Sequence, residues 1–336
     1  MPPLVLEDES RPGDEVFHGR RHEHFRWTGE RRDSSRPHRP TTGLARAGKV
    51  ASSLLPERDS RGMRDDGERT YVLGHSEHEL ERLRIQALLI EPITRRFLLA
   101  GGVQPGMRVL DLGCGAGDVS FLAADLVGET GEVVGVDRAP AAVLAANERA
   151  RAASLHNVSF LAGDPGDLTF EEPFDALVGR YVLMFQPDPA ALLRSAAAHV
   201  RPGGVIAFHE IDWGGVESIA PVPTFDRCCR WCIETLHASG AQPNMIGVLH
   251  PTFVAAGLPA PSMHVERLLG GGAMRSNLLK WIADVLITLL PEMERLGVAT
   301  AADVEPDTLL DRMTREAESI DSVIISHGQV GAWCRR

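Results

Sequence analysis

Lysine is almost missing: Lys49 and Lys280 are the only two among 35 basic residues, a composition that points to coding bias rather than to a function. Cysteine is sparse and odd in number, with Cys114, Cys228, Cys229, Cys232 and Cys334 spread through 336 residues. That excludes a secreted disulfide framework. No apolar run reaches the length of a membrane span. The longest, Leu278–Leu290, is interrupted by Lys280 and Asp284 and followed by Pro291. The opening MPPLVLEDES places acids where a secretory signal needs bases and an apolar stretch. These absences predict a reduced, cytoplasmic protein. Positive charge is also wanting: 46 Asp+Glu against 35 Lys+Arg leave a net charge of −11. Non-specific binding to nucleic acid or to an anionic membrane is therefore not expected.

What is present is core material. The chain is 43% hydrophobic and 24% charged, enough to exclude global disorder, and its length suits two domains or one elaborated α/β domain. Residues 1–62 differ from the rest: they carry net +2, which leaves −13 on the remainder, and they are rich in Arg, Ser, Pro and Asp without periodicity. This composition predicts a disordered N-terminal extension, with Met63 as an alternative start. A basic RNA-binding arm is the rival reading, weakened by the interspersed acids.

Regularity begins at Glu77. Leu80, Leu83, Ala87, Leu88, Ile90 and Ile93 recur at helical spacing until Gly101-Gly102, giving a capping helix region over 63–106. Strand-like segments 107–112, 132–137, 157–162, 174–179 and 205–211 then alternate with helical ones at 118–127, 140–153 and 188–200, with a turn expected at Pro202-Gly203-Gly204. Alternation of this kind predicts a doubly wound parallel sheet whose ligand lies at the carboxyl ends of the strands. Further on, helices are expected near 224–239, 246–257, 276–296 and 306–319, and a strand at 262–268.

The chemistry starts at Asp111-Leu-Gly113-Cys-Gly115-Ala-Gly117, directly after the first strand. Glycines allow a tight turn and close approach of a ligand, and the helix that follows offers its N-terminal N–H groups. A dinucleotide fingerprint would need glycine at 118, where Asp118 stands. Carboxylates on both sides of the turn repel a pyrophosphate and suit a cationic nucleoside, S-adenosyl-L-methionine. Asp137, at the end of strand two, can accept both hydroxyls of a ribose, and Arg138 beside it can pack on the adenine edge. Asp164, after strand three, can accept from an adenine amino group, and Gly179-Arg180-Tyr181 follow strand four. Any one such Asp is as readily a turn or cap residue; their placement at successive strand ends is the signal.

The stretches VLDLGCGAGDVSFLAADLVGETGEVVGVDRAPAAV, NVSFLAGDPGDLTF and FDALVGRYVLMFQPDPAALLRSAAAHVRPGG resemble the class I S-adenosylmethionine-dependent methyltransferases. Within them the bacterial ubiquinone/menaquinone-biosynthesis type is the most similar. The likeness covers roughly 107–211, about a third of the chain. It implies a Rossmann-like, seven-stranded, mostly parallel sheet and a methyl donor whose demethylated product is S-adenosyl-L-homocysteine. It also implies cofactor contacts at Asp111, Gly113, Gly115, Gly117, Asp137, Arg138, Asp164, Pro165 and Arg180. The C-terminal half is longer than in the quinone-methylating members, so the substrate does not carry over.

Methyl transfer is an in-line displacement that needs alignment above all. Where the nucleophile must lose a proton, His209, Glu210 and Asp212 at the end of strand five are candidate bases, against a plain salt-bridging role. No third oxygen ligand accompanies Glu210 and Asp212, so no metal is expected. Cys228, Cys229 and Cys232 lack a second zinc-ligand pair and are expected on the buried face of a helix. The predicted methyltransferase domain, 107–336, includes helical lid insertions near 213–245 and 270–321 that bring Trp213, Phe225, Trp231 and Trp281 over a small apolar or aromatic methyl acceptor. A catalytically degenerate S-adenosylmethionine-binding protein is the alternative.

Overall fold

The computed structural model describes residues 77–164 and 167–336, with side chains from Leu89 onward. The expected extension 1–62, Met63 and Pro165 lie outside the described residues.

Among the described residues ten strands follow one another: β1 (Arg108–Leu112), β2 (Glu132–Asp137), β3 (Val158–Ala162), β4 (Phe174–Arg180), β5 (Val200–Asp212), β6 (Glu217–Ile219), β7 (Ser262–Glu266), β8 (Leu269–Gly270), β9 (Val323–Ile325) and β10 (Gly328–Arg335). Among the described residues nine α-helices are interleaved: α1 (Glu77–Gly101), α2 (Asp118–Val127), α3 (Pro140–Ala152), α4 (Pro189–Ala197), α5 (Pro223–Ala238), α6 (Ile246–Ala255), α7 (Gly272–Leu296), α8 (Ala301–Val304) and α9 (Pro306–Ser319). The main sheet has seven strands in the order β3-β2-β1-β4-β5-β10-β7. β3, β2, β1, β4 and β5 pair in parallel, whereas β10 is antiparallel to both of its neighbours. This is the Rossmann-like, doubly wound α/β sheet anticipated from the alternation of elements. The order reverses between β1 and β4, so the carboxyl ends of those strands open a crevice.

Burial follows from the strand sequences. β4 and β5 read as nearly continuous apolar runs because helices cover both faces. Phe174, Leu177, Leu110, Ile206 and Phe208 are almost wholly buried, and each contributes roughly 1.5–3 kcal/mol by leaving water. Helix starts carry local signals: Asp188 accepts the Ala191 N–H at 2.9 Å ahead of Pro189 in α4, and Thr300 and Asp303 form a reciprocal capping box on α8.

One expectation needs correction. Pro202-Gly203-Gly204 do not turn ahead of a strand starting at 205; they lie inside β5 as a bulge. The register passes from Phe174↔Val200 to Ala176↔Val205, so β5 advances five residues while β4 advances two. The helix expected near 276–296 is α7, with Pro291 inside it and a stop at Gly297, whose φ of +71° forms the left-handed cap. The segment 323–334 holds two strands. β9 joins β6 and β8 in a separate three-stranded sheet of order β6-β9-β8, and β10 enters the main one.

α5, α7 and α9 pack on one another beyond the sheet, and α7 also meets α1. Cys228, Cys229 and Cys232 lie on the buried face of α5, and their thiols are unpaired and pushed up by burial. No helix among the described residues is long and apolar enough to cross a membrane.

Candidate active site

The carboxyl end of β1 passes into the glycine turn. Gly113 has φ +64°, and a Cβ there would stand 2.6 Å from Val182 Cγ2, so only glycine fits where the turn crosses the β4 exit. Gly117 has φ +93°, caps α2, and would meet the Phe121 and Phe160 rings at 2.9 Å. The Cys114 N–H donates to Val136 O at 3.1 Å and pins the turn to β2.

Asp137 closes β2 and holds the turn from the other side. Its Oδ2 accepts the Gly115 N–H at 2.9 Å and its Oδ1 accepts the Ala139 N–H at 2.8 Å. Each oxygen keeps a second lone pair for a ligand hydroxyl. Asp111 lies beneath the turn, fully buried. Its Oδ2 accepts from Ser120 Oγ at 2.5 Å, while Oδ1 has no partner among the described residues. Burial pushes this carboxyl up to about 7, with the Ser120 hydrogen bond and the nearby Arg180 charge pulling the other way. A cation beside Oδ1 would restore its charge.

Two cavities flank this centre. One, of about 360 Å³, is lined by Glu91 and Arg95 of α1, by Asp118, Phe121 and Asp125 of α2, and by Arg149 and Arg180. Arg149 donates to Asp118 at 2.8 Å, and Arg180 Nη2 stands 3.7 Å from the same carboxylate. Charges of both signs on its walls suit a zwitterion. The other, of about 280 Å³, lies between Arg138, Asp164, Gln186, Pro187, Asp188 and Leu192. Arg138 Nε donates to Asp164 Oδ2 at 2.9 Å, joining the ends of β2 and β3. Asp111, Gly113, Gly115, Gly117, Asp137, Arg138, Asp164 and Arg180 thus converge on one edge of the sheet. Glu91, Arg95, Ser120 and Arg149 were not singled out from the sequence; they come from helix faces that carry no motif.

The candidate bases have other occupations. His209 is buried between α1 and β10, with Nδ1 3.0 Å from Thr94 Oγ1 and Nε2 2.8 Å from Gln329 Oε1. Burial, reinforced by the Arg180 charge, lowers its imidazole to about 3, so the ring is neutral. Thr94 Oγ1 itself donates to Ile90 O at 3.1 Å, so the His209 ring is held between a hydroxyl fixed on α1 and the Gln329 amide of β10. Gln329 Oε1 also takes the Tyr181 hydroxyl, and Arg180 Nη1 donates to Thr94 Oγ1 at 3.3 Å. Tyr181 itself holds φ +57°, an uncommon conformation for a side-chain-bearing residue, directly after β4. Glu210, on the opposite face of β5, accepts the Val182 and Leu183 N–H groups at 3.0 and 2.8 Å and so fastens the turn after β4. Burial pushes it up to about 7. Asp212 accepts the Gly214 and Ile246 N–H groups, both at 2.9 Å, and caps α6. Among the described residues no cluster of His, Cys, Asp or Glu has the makings of a metal site.

Comparison with known proteins bears on this edge of the sheet. Residues 103–246 match the family model described as a methyltransferase domain. The match covers less than half of the chain, and the glycine turn, Asp137 and the β4 exit all fall inside the matched segment. The chain is 43% identical over 102 residues to "2-phytyl-1,4-naphtoquinone methyltransferase" of Synechococcus elongatus, covering 30% of this chain and 44% of that protein. It is 34% identical over 140 residues to the aklanonic acid methyltransferase of a Streptomyces species, covering 41% and 63%. It is 34% identical over 113 residues to the demethylmenaquinone methyltransferase of Staphylococcus aureus, covering 33% and 46%. The chain therefore spans less than two thirds of the length of each of these relatives.

Proposed function

We propose that the protein transfers a methyl group from S-adenosyl-L-methionine to a small apolar or aromatic molecule, releasing S-adenosyl-L-homocysteine. The carrying observation is Asp137, which receives the Gly115 and Ala139 N–H groups next to the Arg138–Asp164 pair, on a glycine turn with a buried, half-partnered Asp111. These residues fit the donor. Asp137 would hold the ribose hydroxyls, and Asp164 and Arg138 the adenine. Pro165 is assigned beside them from the resemblance alone. Asp118, Arg180 and the free oxygen of Asp111 would take the ammonium and carboxylate of the methionine end, and Gly113, Gly115 and Gly117 let the backbone approach.

S-adenosylmethionine, when bound, supplies an electrophilic methyl group on a cationic sulfur. The protein's own share is positioning and exclusion of water. His209 and Glu210 serve that share: the first ties β5 to α1 and β10, the second fixes the turn after β4. Neither is assigned as a base. The helices α5 and α7 are assigned as the lid over the methyl acceptor, which leaves 1–62 outside the catalytic unit. The names of the relatives support a ring-bearing acceptor, and the acidic charge supports a small molecule over nucleic acid. Five unpaired, buried cysteines support a reducing, cytoplasmic setting.

Calorimetry tests the reading. S-adenosylmethionine and S-adenosylhomocysteine are expected to bind and NAD is not; tight NAD binding, or no nucleoside binding at all, overturns it. A labelled-methyl screen over quinones and phenols then identifies the acceptor.

A further inference from the structure

The core face of α1 is apolar at Ile90, Ile93, Phe97 and Leu98, and it is interrupted by Thr94, a polar residue no more exposed than they are. Threonine is a poorer helix former than the straight-chain residues, and burying its hydroxyl costs more still unless the oxygen finds partners. Here it finds a full set. A hydroxyl has one hydrogen and two lone pairs. Thr94 Oγ1 donates to Ile90 O at 3.1 Å, receives Arg180 Nη1 at 3.3 Å and meets His209 Nδ1 at 3.0 Å. The first bond fastens the oxygen to the backbone of α1, so Arg180 and His209 are both held from a fixed point.

Of these two, Arg180 has somewhere to reach. Its side chain is 7% exposed, closes β4 and lines the cavity of about 360 Å³. Asp118 Oδ2 stands 3.7 Å from its Nη2, beyond hydrogen-bond distance, and Arg149 takes the other oxygen of that carboxylate at 2.8 Å. A guanidinium carries five N–H donors in a planar fork, of which Thr94 receives one. A cation held from behind by a neutral hydroxyl, with no carboxylate paired tightly in front, suits an incoming carboxylate that can take two parallel bonds from the fork. The bond to Thr94 then decides which way the fork faces. His209 steadies the hydroxyl: it is the register partner of Arg180 on β5, its ring stands edge-on to Phe97 at 4.9 Å, and it is neutral and so does not compete for an anion.

We propose that Thr94 is a positioning residue for the methyl donor: its buried hydroxyl, fixed to the backbone of α1, aims the Arg180 guanidinium into the mixed-charge cavity to take the carboxylate of the donor's amino-acid end. This rests on the methyltransferase reading above and adds to it a residue outside every motif, on a helix that precedes the first strand. Thr94 touches no ligand in this arrangement; it acts through Arg180.

The test titrates the full chain with S-adenosylhomocysteine and with 5′-methylthioadenosine, the same nucleoside without the amino-acid end, and denaturant melts certify that each variant is folded. The wild type is expected to bind S-adenosylhomocysteine the tighter of the two. Thr94→Val keeps the shape and removes the oxygen; it is expected to weaken S-adenosylhomocysteine about tenfold and to leave methylthioadenosine within about twofold. Thr94→Ser returns the oxygen and is expected to restore S-adenosylhomocysteine to within about twofold of the wild type. Arg180→Met is expected to lose at least as much as Thr94→Val, and combining the two to cost no more than about twofold beyond Arg180→Met alone, as for residues acting through one contact. Equal wild-type affinity for the two nucleosides, a Thr94→Val protein that keeps S-adenosylhomocysteine or loses both nucleosides alike, no rescue by serine, or full additivity with Arg180→Met overturns the proposal. A wild type that binds neither nucleoside overturns the methyltransferase reading instead, so the two failures are distinct.

Discussion

The two halves of the crevice are built on different plans. On the β2-β1 side the polar groups are mostly backbone N–H groups and carboxylates supplied within a few residues of a strand end, as where Asp137 receives Gly115 and Ala139. On the β5-β10 side they are side chains from distant segments: Thr94, Tyr181, His209 and Gln329 share one hydrogen-bonded chain across more than 200 residues of sequence. The first plan suits a ligand common to a whole family, because a short motif carries it intact. The second suits a device peculiar to one protein, because any of several remote residues can be exchanged to remake it.

Substitutions that strike one half and spare the other sharpen this contrast. The largest effect is expected from Trp281→Ala, which empties a fully packed site and costs about 3–5 kcal/mol of folding stability. Denaturant melts measure that cost, and S-adenosylhomocysteine affinity should survive it at low denaturant; loss of both together would show that the halves are not separable. Asp137→Ala should do the reverse. Removing a charged partner of two hydroxyls weakens S-adenosylhomocysteine binding by about 2–3 kcal/mol, some 30- to 150-fold, read by calorimetry. An unchanged affinity would move the ribose elsewhere.

The pH dependence comes next in size. Asp111 is held up to about 7 by burial, and a cationic donor binds its ionised form. Affinity for S-adenosylmethionine should therefore be flat above pH 7 and fall by up to about tenfold per unit below it, since the proton must first be expelled. Asp111→Asn should flatten that profile; a slope that persists in the variant would assign the proton to another group. Smallest is Arg138→Ala. Its pair with Asp164 is largely exposed, so melts should shift by no more than about 1 kcal/mol, with adenine-side affinity changing only a few-fold.

Legibility in the sequence follows the same division. β1 to β4, the glycine turn and the acids at the strand ends were readable because apolar runs of four to six residues and the motifs beside them are local. The bulge at 201–204 was not, because Pro-Gly-Gly reads as a turn unless the partner strand is known to wait for it. β6, β8 and β9, two or three residues each, owe their conformation to one another across some hundred residues. The helix near 276–296 was readable through Pro291, because its apolar spacing resumes beyond the proline and Gly297 supplies the cap. His209 and Glu210 were visible as titratable residues at a strand end. Their employment as struts was not, since Thr94, Gln329 and the Val182-Leu183 backbone give no local sign of pairing with them.

The antiparallel β10 carries one more consequence, for how the molecule is made on the ribosome. Among the described strands it emerges after all the others, yet it sits between β5 and β7. A nascent chain can complete β3-β2-β1-β4-β5 and its glycine turn while β5 and β7 still present two unsatisfied edges, which invite pairing with the wrong neighbour until β10 arrives. The β2-β1 half of the crevice can thus be shaped during synthesis, and the β5-β10 half closes only when Gly328–Arg335 slots home.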